Sequence, residues 1–397
     1  MAEAGLQTLA GVRVLSFTQF MLGPSGVGYL ADLGADVVKI EPPGGTLWER
    51  HWSGANHFVN GESVFYLLNH RNQRSLTLDI KKPAALEVAR RLVEGADVLV
   101  QNFRPGVMER AGLGWEAARA WNPRLIYVSA SGYGQDSPYR DRPGQDLLMQ
   151  AFSGLAWISG RADQAPVPVG TAVVDQHAAT LLALGVLAAL LERQRTGQGL
   201  HVEVSMLQAA LNLQKEPVHY WLNGAHLERS PTPLAGTFHP APYGTYATRD
   251  GHLVLSLSPM GLLAEALELP ALRRWEGVRW PFEEREAIAR LVEAAMTRRT
   301  TAEWLERLLP MGVWAAPING YAETFADPAT RAADLVEDVE HPLAGRVRLL
   351  RFPLGFSTGR PVTRRPPPTA GQHTDEVLRE AGLGEADIAR LRADGAI

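Results

Sequence analysis

The aspartate with the most suggestive position in the chain is Asp175, in the segment PVGTAVVDQHAATLLALGVLAALL (168–191). The apolar stretch TAVV before it predicts a short strand. The run after it, residues 178–191, is the longest apolar run of the chain and predicts a buried helix over 176–191. Asp175 would then lie at or just before a helix N-terminus, where backbone N–H groups and the helix dipole favour a carboxylate. Because aspartate is a common N-cap, position alone leaves a purely structural role open.

An ionised carboxylate can act as a nucleophile without a general base, unlike a serine hydroxyl. It is weak in water, and removal from water raises its reactivity. Attack on a thioester would give a mixed anhydride, which keeps the acyl group activated as long as water is excluded. Acyl transfer is therefore the chemistry that Asp175 could carry.

Several other kinds of site have no support in the residues. The sequence has no cysteine, so thiolate nucleophiles, thiolate metal ligands and disulfides are excluded. Its 11 histidines form no HExxH pattern, and no metal site is predicted. His51, His57 and His70 match no common helical face and are expected to be solvated loop histidines.

Nucleotide-binding and hydrolase motifs are weak or missing as well. The sequence contains neither a Walker A lysine nor GxSxG. GPSGVG (23–28) superficially resembles a dinucleotide loop with Glu41 as ribose partner, but Pro24 interrupts the glycine pattern. We interpret it as a tight strand-to-helix turn, with a nicotinamide cofactor as the less favoured alternative.

Composition and charge restrict the partners. There are 39 basic and 43 acidic residues and a net charge of −4, so nothing favours nucleic acid or an anionic membrane surface. The N-terminal residues lack a signal-peptide pattern, and the apolar run 178–191 is too short to span a bilayer. We expect a cytoplasmic protein.

Strands and helices alternate over the first 200 residues, and each strand is nearly continuous in apolar residues. This pattern predicts a Rossmann-like α/β fold, with a parallel sheet covered on both faces. The predicted helices include 26–35 and 83–96. The predicted strands are VRVLSF (12–17), DVVKIE (36–41), SLTLDI (75–80), DVLVQNF (97–103) and LIYVSASG (125–132).

The alternation of strands and helices stops between about 225 and 325, where turn-rich segments and helices surround a predicted antiparallel strand at 252–258. A hairpin pattern follows from about 335. We therefore predict a large domain interrupted by a smaller α+β domain. The predicted bounds are 1–205 plus 330–397 for the large domain, 225–325 for the smaller one, and 206–224 and 326–335 for the linkers.

Almost the whole chain resembles the class III CoA-transferases, which include formyl-CoA:oxalate and carnitine CoA-transferases, and the related α-methylacyl-CoA racemases. The resemblance implies an interlocked homodimer in which each chain threads through the other. The motifs that carry it are LAGVRVLSFTQFMLGP, LADLGADVVKIEPPGG, HRNQRSLTLDIKKP, ADVLVQNFRPGVMERAGLG, NPRLIYVSASGYGQDSPYRDRPGQD, VVDQHAA, TGQGLHVEVSMLQAAL and GQHTDEVLREAGL.

The resemblance also implies roles for individual residues. Asp175 would form an aspartyl acyl anhydride and then an aspartyl-CoA thioester, and Gln145 would hydrogen-bond to the substrate carboxyl group. Coenzyme A is then a substrate, with a small carboxylic acid as the other partner and no tightly bound cofactor. Arg104 and Arg110 suit the CoA phosphates, since arginine is permanently charged and binds bidentately. The implied CoA contacts are Met21, Leu22, Leu78, Asp79, Ile80, Lys81, Asn102, Phe103, Arg104, Arg110, Arg142 and Gly144.

The chain departs from formyl-CoA transferase at several positions. Met21 stands where that enzyme has glutamine, and FHPAPYG (238–244) stands where it has a glycine-rich flap. Pro42 or Pro43 replaces an arginine. These differences disfavour oxalate and formate, and a thioether beside the reacting carbon suggests a larger or less polar acyl group.

One position separates the transferases from the racemases. Racemases of this family have a histidine as the second base where this chain has Gln145. Glutamine has no titratable proton and cannot act as a general base. A CoA-transferase is therefore favoured, with a racemase or epimerase as the alternative and a non-catalytic CoA-binding protein as a second one.

Overall fold

The computed structural model describes residues 5–279 and 281–397. The chain forms two compact units. The larger unit consists of residues up to Met149, Thr171–Leu213 and Asp334–Ile397, and the smaller one of Gln150–Gly170 and Gln214–Ala333. This division differs from the predicted bounds, since the predicted linker 326–335 contains the helix Pro328–Ala332 of the smaller unit. It differs in two further places. Residues 150–170 belong to the smaller unit, and the predicted linker 206–224 contains two helices, one in each unit.

The larger unit contains a six-stranded parallel sheet and a two-stranded antiparallel ribbon, β3 with β4. The sheet has the order β5-β2-β1-β6-β7-β8, so the predicted parallel sheet is confirmed. The strands are β1 (Arg13–Phe17), β2 (Asp36–Glu41), β3 (Phe58–Val59), β4 (Glu62–Ser63), β5 (Gln73–Thr77), β6 (Val98–Gln101), β7 (Ile126–Ser131) and β8 (His201–Ser205).

Helices cover the sheet because their apolar residues recur at helical spacing. Among the described residues, the α-helices that begin in this unit before residue 214 are α1 (Leu22–Asp32), α2 (Trp48–His51), α3 (Val64–Leu67), α4 (Pro83–Glu94), α5 (Val107–Arg110), α6 (Trp115–Trp121), α7 (Asp146–Phe152), α8 (Val173–Thr196) and α9 (Met206–Leu213).

The smaller unit has an antiparallel sheet of order β11-β10-β9, with Tyr246, Leu253 and Trp304 in its core. Its predicted central strand is therefore confirmed, with an earlier end at Leu255. Its elements are α10 (Lys215–Leu222), β9 (Gly244–Ala247), β10 (His252–Leu255), α11 (Met260–Ala266), α12 (Arg285–Met296), α13 (Thr301–Leu308), β11 (Ala315–Pro317), α14 (Tyr321–Ala326) and α15 (Pro328–Ala332).

After the smaller unit the chain re-enters the larger one as the predicted hairpin. It ends with two helices whose apolar residues, including Val377 and Ile388, join the core between α4 and the sheet. These elements are β12 (Val336–His341), β13 (Gly345–Leu350), α16 (Thr374–Glu380) and α17 (Glu385–Ala393).

In the sheet, β1 lies next to β6. The strands that follow β1 in sequence are added on one side of this pair, and those that follow β6 are added on the other side. In open parallel sheets the crevice at such a switch point, outside the carboxyl ends of the strands, is where ligands bind. The segments implied to contact CoA follow β1, β5, β6 and β7, so all of them lie at this carboxyl edge.

The predicted strand TAVV is wrong, because α8 already begins at Val173 and runs 24 residues to Thr196. Three β-branched residues in a stretch of four are a weak strand signal, and helix packing overrides it. α8 packs against α1 so closely that a Cβ on Gly26 would lie 3.0 Å from the carbonyl oxygen of Ala179. GPSGVG (23–28) is thus part of a packed helix.

The helix predicted to be buried is buried along one face only. Val174, Ala178 and Leu182 are inaccessible, whereas Leu184 and Leu191 are exposed. By length and composition alone α8 could cross a membrane, a property that it shares with core helices of folded domains.

Candidate functional site

The first turn of α8 carries Asp175 at its third position. The residue before the helix, Ala172, offers no side-chain cap. The carboxylate of Asp146 takes that place. Its Oδ2 accepts the N–H of Val174 at 2.7 Å and the N–H of Asp175 at 2.9 Å. These are the N–H groups that a capping side chain normally satisfies. Asp146 therefore fixes the start of α8 and lies beside Asp175.

The position of Asp146 depends on two glycines. A Cβ on Gly144 would lie 2.4 Å from the Cα of Gly132, and a Cβ on Gly132 would lie 2.6 Å from the Cα of Gly144. The backbones therefore touch at the base of the loop that follows β7, and α7 begins two residues after this contact. Gly144, implied as a CoA contact, has a structural reason to be glycine.

A second helix N-terminus also reaches Asp175. The backbone N–H of Leu22, the first residue of α1, hydrogen-bonds to the Asp175 carboxylate. Met21 occupies the N-cap position before α1, but its side chain makes no hydrogen bond to the start of that helix. The Asp175 carboxylate thus completes the start of α1, much as Asp146 completes the start of α8.

These surroundings set the protonation of Asp175. The pKa of the carboxyl group is raised from the ordinary 3.8 to about 7, chiefly by burial and also by the charge of the adjacent Asp146 carboxylate. The Leu22 N–H acts in the opposite direction because it stabilises the ionised form. Near neutral pH the group is therefore an incompletely ionised and poorly hydrated carboxylate, which is more reactive than a solvated one.

Three polar side chains surround the sulfur of Met21, the residue before α1. The thioether sulfur of Met21 lies 3.2 Å from the amide nitrogen of Gln176, 3.4 Å from the hydroxyl of Ser25 and 3.6 Å from the amide nitrogen of Asn69. Sulfur is a weak acceptor, so the amide groups of Gln176 and Asn69 are weakly bound there, whereas the Ser25 hydroxyl donates to the side-chain oxygen of Asn69 at 2.8 Å. Met21 suggested less polar surroundings in the sequence, but in the structure hydrogen-bond donors lie around its sulfur.

The segment after β5 offers less to a ligand than the resemblance implied. Leu78 is 2% exposed and belongs to the core, and Ile80 packs against that core. The Asp79 carboxylate accepts the backbone N–H of Lys81 at 3.1 Å. Contacts from the Leu78 and Ile80 side chains are therefore disfavoured by the structure, and Lys81 is the exposed side chain of the four.

The loops after β6 and β7 hold the exposed cations. Arg104 precedes α5 and Arg110 is its last residue, and neither forms an ion pair within the described residues. Arg142 is exposed and lies 3.7 Å over the ring of Tyr139. Phe103 is partly buried against the core, which limits it as a stacking surface.

Two sequence interpretations change in this region. Glu41, the ribose partner of the nicotinamide alternative, is buried and bound through both oxygens by Arg50 at 2.7 and 2.8 Å. A ribose hydroxyl therefore has no free oxygen there. His70, expected in solvent, is buried and stacks on Tyr66 with ring centroids 4.0 Å apart.

Asp146 is the residue that the sequence interpretation missed. It directly follows Gln145 in the segment PGQD, so it lay next to a residue already singled out. Its function as a cap for a helix 27 positions later cannot be recognised from spacing. Gln145 itself is exposed, and its carbonyl oxygen accepts the N–H of Met149 in the first turn of α7.

Fold and site together define an α/β enzyme with a desolvated carboxylate at the carboxyl edge of a parallel sheet. The sequence model of CoA-transferase family III matches residues 9–374, and the chain belongs to this family. It is a CoA-transferase by that membership, as the names of its relatives agree.

Similar proteins cover nearly the whole chain. It is 34% identical to an acyl-CoA transferase of Fusarium pseudograminearum, over 100% of this chain and 90% of the relative. It is 32% identical to the succinyl-CoA:glutarate CoA-transferase of Mus musculus (99% and 91%) and 34% identical to the succinyl-CoA–D-citramalate CoA-transferase of Chloroflexus aurantiacus (97% and 97%).

Solved structures of the same fold agree. A CaiB/BaiF family protein from Brucella suis superposes with a TM-score of 0.81 at 29% identity, covering 95% of this chain and 100% of that one. A protein of Mycobacterium tuberculosis, Rv3272, gives a TM-score of 0.80 at 31% identity, covering 94% and 99%.

The raised pKa of Asp175 makes a prediction about stability. The folded protein holds the proton up to about pH 7 while the unfolded chain releases it near pH 4, so this residue's contribution to stability falls as pH rises through that window. Asp175→Asn cannot ionise and should be more stable than the parent protein at pH 8, by on the order of 2 kcal/mol, with a smaller difference at pH 5.

Calorimetric melting temperatures of both proteins at pH 5, 6, 7 and 8 check this. Asp163→Asn, an exposed carboxylate in the smaller unit, serves as the control and should show no such trend. A difference that shrinks with rising pH would contradict the assignment.

Proposed function

We propose that this enzyme moves coenzyme A from an acyl-CoA thioester to a carboxylic acid, with Asp175 as the covalent nucleophile. The observation that carries the proposal is the poorly hydrated Asp175 carboxylate, held between two helix N-termini beside Asp146. The curated relatives act on acyl-CoAs and acids by their names, which supports the same reaction class.

The proposed reaction has four balanced steps. The Asp175 carboxylate attacks the thioester carbonyl, the C–S bond breaks, and a mixed anhydride and CoA thiolate form. The thiolate attacks the aspartyl carbonyl, which gives aspartyl-CoA and releases the donor acid. The acceptor carboxylate then attacks aspartyl-CoA, forming a second anhydride and freeing the thiolate. Attack of the thiolate on the acceptor carbonyl gives the new acyl-CoA and regenerates Asp175.

Backbone hydrogen bonds would stabilise the charge that develops on the aspartyl oxygen. Asp146 already accepts the N–H groups of Val174 and Asp175 at the start of α8, so these two donors are occupied. The Leu22 N–H remains directed at the Asp175 carboxylate. A preorganised donor of this kind is effective because it needs no reorientation during the reaction.

The exposed arginines would bind the CoA phosphates. Arg104 lies on the loop after β6, at the switch point, and Arg110 ends the helix α5 that follows this loop; neither is paired with a carboxylate of the described residues. Lys81, after β5, and Arg142, after β7, extend the cationic edge. Unpaired guanidinium groups suit phosphate because they form two parallel charged hydrogen bonds.

The substrates are proposed to include a short dicarboxylic acyl group, with succinyl-CoA as the first donor to test. Several curated relatives are named for succinyl-CoA as donor and a dicarboxylic acid as acceptor. The amide groups of Asn69 and Gln176 both donate to the sulfur of Met21, the residue before α1. A second carboxylate on the acyl chain would be a stronger acceptor for these groups than the sulfur is.

The racemase alternative requires a second base near Asp175. The residue where racemases of this family have histidine is Gln145, which cannot exchange a proton. Asp146 is ionisable, but its carboxylate is buried and hydrogen-bonded to two backbone N–H groups. These facts favour the transferase.

The covalent step is tested with neutral hydroxylamine. Incubation with succinyl-CoA and then hydroxylamine should convert Asp175 to the hydroxamate, detected by peptide mass spectrometry. Asp175→Asn should bind CoA like the parent protein and lose at least about 10³-fold in turnover, since the nucleophile is gone. Wild-type turnover in this variant, or deuterium wash-in at the acyl α-carbon by the parent protein, would refute the transferase mechanism.

The pH dependence should report Asp175. Because the ionised form attacks and its pKa is about 7, kcat/KM should rise with pH through the neutral range and level off above about 8. Asp146→Asn removes the neighbouring negative charge but keeps an oxygen for the α8 N–H groups, so the midpoint should move to lower pH. The control is Glu87→Gln on the exposed face of α4. A midpoint that stays or rises would be inconsistent with this electrostatic coupling.

The homodimer implied by the resemblance is also proposed for this chain. Each unit exposes large apolar side chains, such as Leu191 (66%) on α8 in the larger unit and Trp314 (66%) and Tyr321 (86%) in the smaller one. Large exposed apolar side chains are those that a dimer interface would cover. Light scattering after gel filtration should give twice the chain mass. If the chains interlock, tagged and untagged dimers should exchange subunits only after unfolding, and rapid exchange would exclude interlocking.

A further inference from the structure

The turn between β1 and α1, residues 18–21, has a strained backbone. Phe20 has φ 65°, in the left-handed region that an aromatic residue rarely adopts. Two residues later comes Leu22, whose N–H reaches Asp175. A strained residue persists only where its surroundings determine its conformation, and such residues cluster at functional sites.

Buried side chains hold the first two residues of this turn. The ammonium group of Lys39, in the middle of the sheet on β2, donates to the carbonyl oxygen of Thr18. The side-chain amide of Asn102 accepts the N–H of Gln19 at 2.8 Å and donates to the carbonyl oxygen of Gln19 at 2.7 Å. Asn102 directly follows β6, so it ties the ends of β1 and β6 together.

The strained residue itself is held by Glu49 of α2. One carboxylate oxygen accepts the N–H of Phe20 at 2.9 Å, and the other lies 3.3 Å from the Lys39 ammonium group. Both side chains are fully buried. A buried ion pair adds little net stability because desolvation offsets the attraction. The pair instead fixes the position of the turn, because the Glu49 carboxylate connects the Lys39 ammonium group to the Phe20 backbone.

We propose that Lys39, Glu49 and Asn102 are positioning residues that hold the Phe20 turn so that the Leu22 N–H points at the Asp175 carboxylate. This inference rests on the proposed function of Asp175. It also gives Asn102 a different role from the implied CoA contact, since its oxygen and nitrogen both bond Gln19. The side chains of Lys39 and Glu49 are fully buried, so neither can contact a substrate.

The test compares two asparagines that clamp backbone in the same way. Asn122 is half-buried like Asn102 and donates to the carbonyl oxygens of Val93 and Ala96, at the other edge of the sheet. Asn102→Ala should lower kcat with succinyl-CoA by about 10- to 100-fold, because the Leu22 N–H is no longer aimed at the reacting carboxylate. The midpoint of kcat/KM against pH should rise, because that N–H favours the ionised form.

Asn122→Ala should lose a similar amount of thermal stability and change neither kcat nor the pH midpoint. The dissociation constant for CoA, measured by calorimetry, should be unchanged in both variants. If Asn102 contacts CoA instead, its replacement will weaken CoA binding and leave the pH midpoint in place. That result would overturn the proposal, as would equal kinetic effects in the two asparagine variants.

Glu49→Gln provides a second variant, since one amide oxygen cannot accept from both Lys39 and Phe20. It should repeat the alkaline shift of the pH midpoint, and an unshifted midpoint in a folded Glu49→Gln protein would contradict the proposal. Asp175→Asn separates the two levels of inference. If that variant retains turnover, the proposed function fails. If it is inactive while Asn102→Ala and Glu49→Gln match the parent protein, only the positioning role fails.

Discussion

The confinement of the Asp175 charge beside a second carboxylate is the interaction on which the site depends. Burial and Asp146 both oppose ionisation of Asp175, and only the Leu22 N–H supports it. A fold optimised for stability alone would place a neutral residue there. The arrangement is reasonable for an enzyme that uses a reactive carboxylate, because the same desolvation that reduces stability at neutral pH raises nucleophilicity.

Backbone N–H groups at two helix N-termini hydrogen-bond to the two carboxylates and so offset part of the cost of placing them together. Asp146 satisfies the first N–H groups of α8, and Asp175 satisfies the first N–H of α1. The two helices can meet at this point because Gly26 lets their backbones approach. The glycines that suggested a nucleotide loop are used for helix packing instead. The site is therefore built from backbone groups whose positions are set by packing, which leaves little freedom at the reacting oxygen.

The parallel sheet explains why the remaining candidate residues lie together. Strands β1, β5, β6 and β7 end at the same edge, so loops far apart in sequence become neighbours. The exposed cations Lys81, Arg104 and Arg110 follow these strands. The buried Lys39–Glu49 pair lies under the same edge and holds the β1–α1 turn. One edge thus presents charge for phosphates, while the groups under it fix backbone geometry.

Much of this organisation was determined locally and was therefore predictable. Apolar runs of five or six residues alternating with amphipathic helices specify a parallel sheet, and β2 has the bounds that the sequence predicted. An aspartate before a long apolar run predicted a carboxylate at the start of a helix, and Asp175 is in its first turn. These features depend on neighbours within a few positions, which a single sequence displays directly.

Other features were decided only by tertiary contacts. TAVV has strand-forming residues, yet capping by Asp146 and packing on α1 draw its two valines into α8. Leu78 follows a strand like a loop residue, but the core encloses it. The partnership of Asp146 and Asp175 spans 29 positions. Where a helix starts, which side chains are buried and which charges pair all depend on which distant segments come into contact. No local pattern of residue types predicts those contacts.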